Sequence, residues 1–150
     1  MQLDTEVRSL KRRDLEELLL IAKVHYPSEP WLSLDYLRER ENQALVKLAI
    51  QSSKRLLGGV IVRQGKRPNV WLSLMVIDRN FGRHGLGEKL YTTMERELPT
   101  GTVVWHLLPD NKAFKPSENF LLKMGFERSG ELKNYFGPRK NVVAFSKKVR

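Results

Sequence analysis

The sequence predicts a mixed α/β (α+β) domain, with strands in runs and helices between some of them. Two observations predict this class. Short apolar stretches of strand length recur along the chain, such as VWLSLMVI at 70–77 and TVVWHLLP at 102–109. Between some of them, apolar residues recur every three or four positions, as on one face of a helix. The 150 residues fit one domain, so residues 1–150 are expected to form a single unit.

The first half of the chain predicts a strand, two helices and two further strands. Residues 4–10 alternate weakly and indicate a strand, and residues 11–26 carry the apolar face of a helix. Pro27 and Pro30 interrupt that helix. A short second helix is predicted at 32–43. ALVKLAI (44–50) and LLGGVIVRQG (56–65) then indicate two strands joined by a polar turn.

The second half continues with a strand at 70–77, a glycine-rich stretch and a helix. Leu86, Leu90 and Met94 recur every four residues and mark that helix, which Pro99 ends. A strand at 102–109 and a helix at 117–126 follow, and NVVAFSKKV (141–149) is the last strand. The predicted order is β-α-α-β-β-β-α-β-α-β-β, in which the strand before the last has no residues assigned to it.

The stretch NFGRHGLGEKL (80–90) places three glycines between a strand and a helix. Glycine lets a ligand approach the backbone closely, and the free N–H groups of a helix N-terminus attract anions. Together they predict a phosphate cradle. The glycine spacing fits neither the dinucleotide-binding fingerprint nor the P-loop. A plain turn before a core helix is the alternative interpretation.

The chain is basic, with a formal net charge of +10, which favours anionic partners. No aromatic-interleaved RNA-binding signature is found, so a nucleic-acid partner is the least favoured. The chain has no cysteine, which excludes disulfides, thiolate catalysis and cysteine-bound metal. The N-terminal residues contain no apolar signal segment and no stretch could span a bilayer, so a cytoplasmic protein with no membrane partner is expected.

The segment DRNFGRHGLGEKL (78–90) resembles the acetyl-CoA loop of the GNAT superfamily of N-acetyltransferases. NFLLKMGF (119–126) resembles a later segment of that family, and the element order is similar as well. Gly82 stands where the family usually has glutamine or arginine. The resemblance implies a GNAT-like fold with a mostly antiparallel sheet that splays between the fourth and fifth strands. It also implies acetyl-CoA as co-substrate, with no metal.

The resemblance further implies how acetyl-CoA would be held. Backbone N–H groups of the loop would bind the pyrophosphate, and the end of the preceding strand would pair with the pantetheine arm. An asparagine after the fifth strand would also contact the cofactor. The implied residues are Met75, Val76, Ile77, Arg83, His84, Gly85, Leu86, Gly87, Glu88 and Asn111.

Acetyl transfer needs a neutral amine, and a base helps because an α-amine has a pKa of about 7.7–8.0 and lysine about 10.4. His106 lies in an otherwise apolar strand, at a position where some family members have a basic carboxylate, and is the candidate base. A histidine satisfied within the core is the alternative. The family's usual acid, a tyrosine, is replaced by Leu121, so Tyr135 is the candidate acid.

The acceptor site is expected at the first two helices and near the segment KNYF (133–136). The candidate substrate-binding residues are Tyr26, Trp31 and Tyr135, with packing as the alternative. KNYF resembles a stretch of the ribosomal-protein N-terminal acetyltransferase branch. The function predicted is therefore acetyl transfer to a primary amine (protein N-terminus, lysine or small amine) by direct attack in a ternary complex. A catalytically silent acyl-CoA sensor, a nucleic-acid-binding protein and a homodimer are left open.

Overall fold

A computed structural model describes residues 4–27, 29–82, 84–111 and 114–150 of the chain. Within these residues, seven strands form one sheet that carries two α-helices on each face. The strands are β1 Glu6–Ser9, β2 Ala44–Ser52, β3 Arg55–Gln64, β4 Asn69–Ile77, β5 Val103–Pro109, β6 Glu127–Leu132 and β7 Val142–Lys148. The helices are α1 Leu15–His25, α2 Leu34–Asn42, α3 Leu86–Glu95 and α4 Phe114–Lys123. No helix in the described part of the chain has the length and apolar character needed to span a membrane.

The strand order across the sheet is β1-β2-β3-β4-β5-β7-β6. Neighbouring strands are antiparallel except β4 and β5, which are parallel. These two strands pair only from Asn69 to Trp71, opposite Val103 to Trp105, and diverge beyond that point. The predicted element order and the predicted splay between the fourth and fifth strands are both confirmed.

A β-bulge lies where β4 leaves β5. In the pairing of β3 with β4, Ile61 faces Leu74 while the next residue, Val62, faces Leu72, so Ser73 is the extra residue. A bulge bends its strand and increases the local twist. This bend turns the last residues of β4 away from β5 and opens a gap in the sheet.

The two faces of the sheet have separate cores. One core lies beneath α3 and α4 and includes the fully buried Leu90 and Met94. The other lies beneath α1 and α2 and includes the fully buried Leu18 and Leu37. Burying one such side chain stabilises the fold by roughly 1.5–3 kcal/mol, so each helix pair is held by its own apolar face.

The closed end of the gap is held by a tryptophan contact. The rings of Trp71 and Trp105 lie 6.3 Å apart between centroids. The indole N–H of Trp105 donates to Oδ1 of Asn69, at 2.8 Å. β4 and β5 therefore stay together at this end, while their other ends stand apart.

One helix has other bounds than predicted, and one strand had a place in the predicted order but no predicted residues. α4 begins at Phe114 rather than at residue 117, and Pro116 lies within its first turn. A proline is tolerated there because the first helical N–H groups have no intrahelical acceptor. β6 has six exposed residues and so lacks the apolar run by which a strand is recognised.

Candidate functional site

The side chain of His106 crosses the gap between β4 and β5. It lies on β5, and its Nδ1 is 2.8 Å from the carbonyl oxygen of Leu72 on β4. A carbonyl oxygen can only accept a hydrogen bond, so Nδ1 carries the proton and donates it. In the neutral ring, Nε2 then keeps its lone pair and is free to act as a base.

The environment keeps this ring neutral. Burial of the imidazole lowers the pKa of His106 below its ordinary value of 6.5, and the hydrogen bond to Leu72 only partly opposes this effect. A buried base loses the solvation that its charged form needs. His106 is therefore unprotonated at neutral pH, and its role as the catalytic base stays a prediction.

A cavity of about 640 Å³, called here the larger cavity, lies between the start of α3, α4 and the free edge of β4. It contains many of the residues predicted for cofactor binding. Its lining includes Met75, Val76, Ile77, Gly82, Gly85, Gly87, Glu88, His106, Ser117, Phe120 and Leu121.

Two glycines of the loop at this cavity have separate structural reasons. Gly85 is the N-cap of α3 with a φ of 70°, a left-handed conformation that favours glycine. A Cβ on Gly87 would lie 3.1 Å from Cε1 of Phe120, so a side chain would press against α4. Gly82 has a φ of −67° and room for a Cβ, so neither the backbone conformation nor crowding requires a glycine at this position.

The N-terminus of α3 opens toward the larger cavity. The N–H groups of Leu86, Gly87 and Glu88 have no acceptor within the helix, because they belong to its first turn. A Cβ on Gly85 would meet nothing within 4 Å, so the approach to these N–H groups is open. Free N–H groups and the positive end of a helix dipole together bind phosphate. The phosphate cradle predicted from the sequence is thus physically feasible here.

The free edge of β4 presents backbone groups to the gap. The N–H of Asp78 donates to the carbonyl of Leu57 on β3, at 2.7 Å, so the carbonyl of Ile77 points the other way. That carbonyl accepts from Nε2 of His25, at 2.7 Å. Because backbone groups alternate along a strand, Met75 and Ile77 face the gap while Val76 faces β3.

The remaining predicted cofactor residues lie in different places. Arg83 is outside the described residues. His84 is exposed, with its ring 6.1 Å from that of Phe81. Leu86 turns its side chain into the core, so only its backbone serves the cavity. Asn111 follows β5, and its carbonyl accepts from the N–H of Phe114.

A second cavity, of about 80 Å³ and called here the smaller cavity, lies on the α1/α2 face of the gap. The three predicted acceptor-site residues line it together with His106. Trp31 stacks on Phe136 with centroids 4.6 Å apart, and Tyr135 lies edge-on to Phe136 at 4.9 Å. The lining residues are Tyr26, Trp31, Tyr36, Arg40, Arg63, Trp71, Leu72, Ser73, Leu74, Met75, His106, Leu107, Pro109, Tyr135 and Phe136.

Tyr26 lines both cavities, as His106 does. Ser117 on α4 lines the larger cavity beside it, and its side chain partly opposes the rise in the pKa of Tyr26. Ser117 lies one helical turn before Leu121, the position where the resemblance implied a tyrosine. Burial raises the pKa of Tyr26, and the charge of Glu29 adds to the effect, so the phenol stays protonated at neutral pH.

The sequence predicts Tyr26 only as an acceptor-site residue and gives no signal for the two arginines of the smaller cavity. Arg40 lies in a polar helix and Arg63 in a strand of the basic chain, where an arginine ordinarily indicates solvent exposure. Ser117 gave a weak signal, since it lies near the missing tyrosine. Tyr26 and Ser117 are far apart in sequence, and only the fold brings them together at the larger cavity.

Comparison with protein families gave a match over most of the chain. The model of the Acetyltransferase (GNAT) family matches residues 6–126. A comparison with curated protein sequences gave no match.

Several solved structures share this fold. Ard1 from Thermoplasma volcanium superimposes with a TM-score of 0.85 at 17% identity, covering 97% of this chain and 98% of that one. The ribosomal-protein-S18-alanine N-acetyltransferase from Escherichia coli gives 0.77 at 16% identity, covering 97% and 94%. An aminoglycoside 6'-N-acetyltransferase complexed with coenzyme A gives 0.78 at 14% identity, covering 97% of each chain. At such identities the likeness shows the fold.

Proposed function

Because the chain belongs to the GNAT family of acetyltransferases, whose model spans residues 6–126, we propose that it moves an acetyl group from acetyl-CoA to a primary amine. One observation carries the proposal: two cavities on opposite faces of the sheet meet at His106 and Tyr26. Two reactants held there would face each other across the gap, in a ternary complex. Holding both reactants in place removes much of the entropic cost of their encounter.

The larger cavity suits acetyl-CoA. The first turn of α3 offers N–H groups to a pyrophosphate, and Arg79 adds positive charge along the lining, where Lys123 is paired with Glu88 at 3.4 Å. The backbone of Met75 and Ile77 offers hydrogen bonds to an extended chain, as an added strand would find at a sheet edge. The solved relative with coenzyme A has the same fold, which supports this assignment.

The smaller cavity suits the amine. His106 would take a proton from the amine nitrogen through Nε2 as that nitrogen attacks the thioester carbonyl. The new C–N bond forms, the C–S bond breaks, and the hydroxyl of Tyr26 gives its proton to the departing sulfur. Tyr26 then regains a proton from solvent, and His106 releases the proton that it took from the amine to solvent. Each group transfers one proton, and catalysis of this kind contributes about 10²–10⁴-fold.

Tyr135 is better placed for the acceptor than for the leaving sulfur. It is 51% exposed and lines the smaller cavity, while Tyr26 and Ser117 line the larger one. We therefore assign Tyr135 and Trp31 to binding of the acceptor. The acceptors named for the relatives are an S18 alanine and aminoglycosides, and a protein N-terminus, a lysine and a small amine all remain candidates here.

A silent acyl-CoA sensor is the second candidate function. Leu121 favours it, since this buried leucine occupies the position where the resemblance implied the acid. A sensor would bind acetyl-CoA but leave every amine unacetylated, whereas the transferase releases CoA when an amine is supplied.

The first experiment is a calorimetric titration with acetyl-CoA of the wild type, Gly85→Asp and Gly101→Asp. Both glycines have positive φ and an open Cβ direction, so both changes cost about 1 kcal/mol of backbone strain. Only Gly85 lies at the larger cavity, where a carboxylate would repel phosphate. We expect Gly85→Asp to weaken binding at least 10-fold and Gly101→Asp to leave it unchanged.

The same preparations then receive acetyl-CoA and a mixture of amines, with CoA release followed by a thiol reagent. Release above the rate of hydrolysis supports the transferase over the sensor. An absence of binding by the wild type, or equal losses in the two variants, would reject the assignment of the larger cavity.

A further inference from the structure

The charged residues that line the smaller cavity are two arginines, Arg40 and Arg63. No aspartate or glutamate is among the described residues of that lining. The amine must enter this cavity if the proposed function holds, so the charge of its wall bears on which amines bind. A positive wall repels a polycation and attracts an acceptor that carries negative charge.

Arg63 is held in place by one hydrogen bond from its Nε, and this bond leaves its two Nη groups available. It lies on β3, and its Nε donates to Oγ of Ser73, the bulge residue of β4, at 3.1 Å. Its guanidinium carbon lies 5.9 Å from the centre of the Trp71 ring. These contacts fix the plane of the guanidinium, and the two Nη groups supply the donor pair that suits a carboxylate.

Arg40 approaches from the other wall. It lies on α2 with its guanidinium carbon 4.6 Å from the centre of the Tyr36 ring. Its side chain is only 22% exposed. Its ion pair with Glu39 is long, at 3.6 Å, and Glu39 is 63% exposed, so this pair holds the arginine weakly.

A nearby carboxylate does not cancel this charge. Glu29 lies behind Trp31, and its Oε2 accepts from the indole of Trp31 at 2.9 Å and from Lys140 at 3.3 Å. Its side chain is 9% exposed. Glu29 is thus buried and paired with a cation, and the wall of the smaller cavity stays positive.

We propose that the acceptor is a primary amine that also carries a carboxylate, which Arg40 and Arg63 bind while the amine lies at His106. The inference rests on the proposed function and names its substrate class. The carboxylate has two possible sources, the acidic side chain of a peptide or the α-carboxylate of a free amino acid. Polycationic amines such as aminoglycosides are poor acceptors on this view.

The test compares acceptors of similar size that differ in charge. The peptides Ala-Glu-Ala-amide, Ala-Gln-Ala-amide and Ala-Lys-Ala-amide test a side-chain carboxylate, and free alanine against alaninamide tests an α-carboxylate. In one of the two sets, we expect the acidic acceptor to have a kcat/KM at least 10-fold above that of its neutral partner. The set that shows this preference identifies whether the carboxylate belongs to a peptide side chain or to a free amino acid.

Arginine variants then locate the effect. We expect Arg40→Gln and Arg63→Gln each to reduce that preference to within about 2-fold, and Arg63→Lys, which keeps the charge, to retain most of it. Arg38→Gln is the matched control, because Arg38 lies on the same helix but pairs with the exposed Asp35 outside the cavity. Thermal unfolding of each variant verifies that it is folded.

The outcomes separate this inference from the function on which it rests. If the wild type does not bind acetyl-CoA in the titration, the proposed function fails. If it binds acetyl-CoA but acetylates no amine, the protein is the sensor and the proposed transfer fails as well. If it acetylates neutral or basic amines as fast as acidic ones, or acetylates them alone, only the acceptor class is wrong. A preference that survives in both glutamine variants would also overturn it.

Discussion

His106 has a defined proton position because Leu72 offers only an acceptor. The hydrogen bond of 2.8 Å holds the proton on Nδ1 and aims Nε2 away from β4. Asparagine can imitate this arrangement, since its side-chain N–H₂ lies near the position of Nδ1 and also donates. It lacks a basic nitrogen, however, so it separates the structural role of His106 from the chemical one.

We expect His106→Asn to lower kcat/KM by about 100-fold at neutral pH, the lower end of the range for loss of a general base. The melting temperature should change little, because the bond to Leu72 is kept. Acetylation rates and thermal unfolding of the same preparation measure both effects. Full activity in this variant would remove His106 from the mechanism.

The pH dependence of stability gives a second readout of the same variant. The pKa of His106 is lowered in the folded protein, so the unfolded chain binds more protons once the pH falls below about 6.5. The free energy of unfolding therefore decreases below that pH and levels off below the folded pKa. His106→Asn lacks this component, and urea unfolding at pH 5 and pH 7.5 should show a smaller loss in the variant than in the wild type.

Tyr26 can be tested by removal of one oxygen atom. Tyr26→Phe keeps the ring and loses the proton that would go to the leaving sulfur, so we expect kcat to fall at least 10-fold with unchanged affinity for acetyl-CoA. p-Nitrophenyl acetate, whose leaving group needs no proton, should react equally with wild type and variant. Tyr36→Phe removes a hydroxyl from the smaller cavity alone and is the control, with kcat within about 2-fold of wild type. If Tyr26→Phe lost the same fraction of its activity with acetyl-CoA and with p-nitrophenyl acetate, the role of Tyr26 would be structural.

For single residues, the sequence shows which side chains could be functional better than it shows which other residues they contact. His106 was recognisable as a polar residue in an apolar strand, and Gly85 by its place before a helix. Tyr26 was not recognisable as a proton donor, because it follows α1 while its neighbour Ser117 in the larger cavity lies on α4. Arg63 was missed for the same reason, since its position depends on a bulge that no local pattern indicates.

Among the elements, amphipathic helices and apolar strands were predictable because burial imposes a period on the sequence. α3 shows this well, with Leu86, Leu90 and Met94 all buried. β6 shows the limit, since all its residues are exposed at the edge of the sheet and its pairing with β7 is made by backbone groups. Backbone hydrogen bonds carry no sequence signature.

β4 pairs with two strands at its start but with β3 alone at its end, and hydrogen exchange should detect this difference. Residues 60–62 of β3 lie between two paired strands, whereas residues 75–77 pair on one side only. We expect the amides that face the gap, at Met75 and Ile77, to exchange faster than residues 60–62 in the free protein. Saturating acetyl-CoA should slow them, because a bound chain would accept from these N–H groups.

Exchange measured with and without acetyl-CoA, with residues 60–62 as the internal standard, checks this expectation. If acetyl-CoA binds but the exchange of residues 75–77 is unaffected, the cofactor does not lie along β4.

For the whole molecule, part of the net charge of +10 comes from basic residues that line the two cavities. Composition predicted anionic partners without saying where they would bind. The fold places Arg79 and Lys123 at the larger cavity and Arg40 and Arg63 at the smaller one. The total charge was readable from the sequence, but its division between two cavities depends on the topology of the sheet.

The gap in the sheet also affects the order in which molecules come and go. The larger cavity opens on the face covered by α3 and α4, and the smaller one on the face covered by α1 and α2. A molecule in one therefore leaves the mouth of the other open. Under the proposed function, neither reactant would have to wait for its partner to arrive, and neither product would block the departure of the other. An acceptor attached to a large body needs only to pass its amine through one face, while the rest of it remains in solvent.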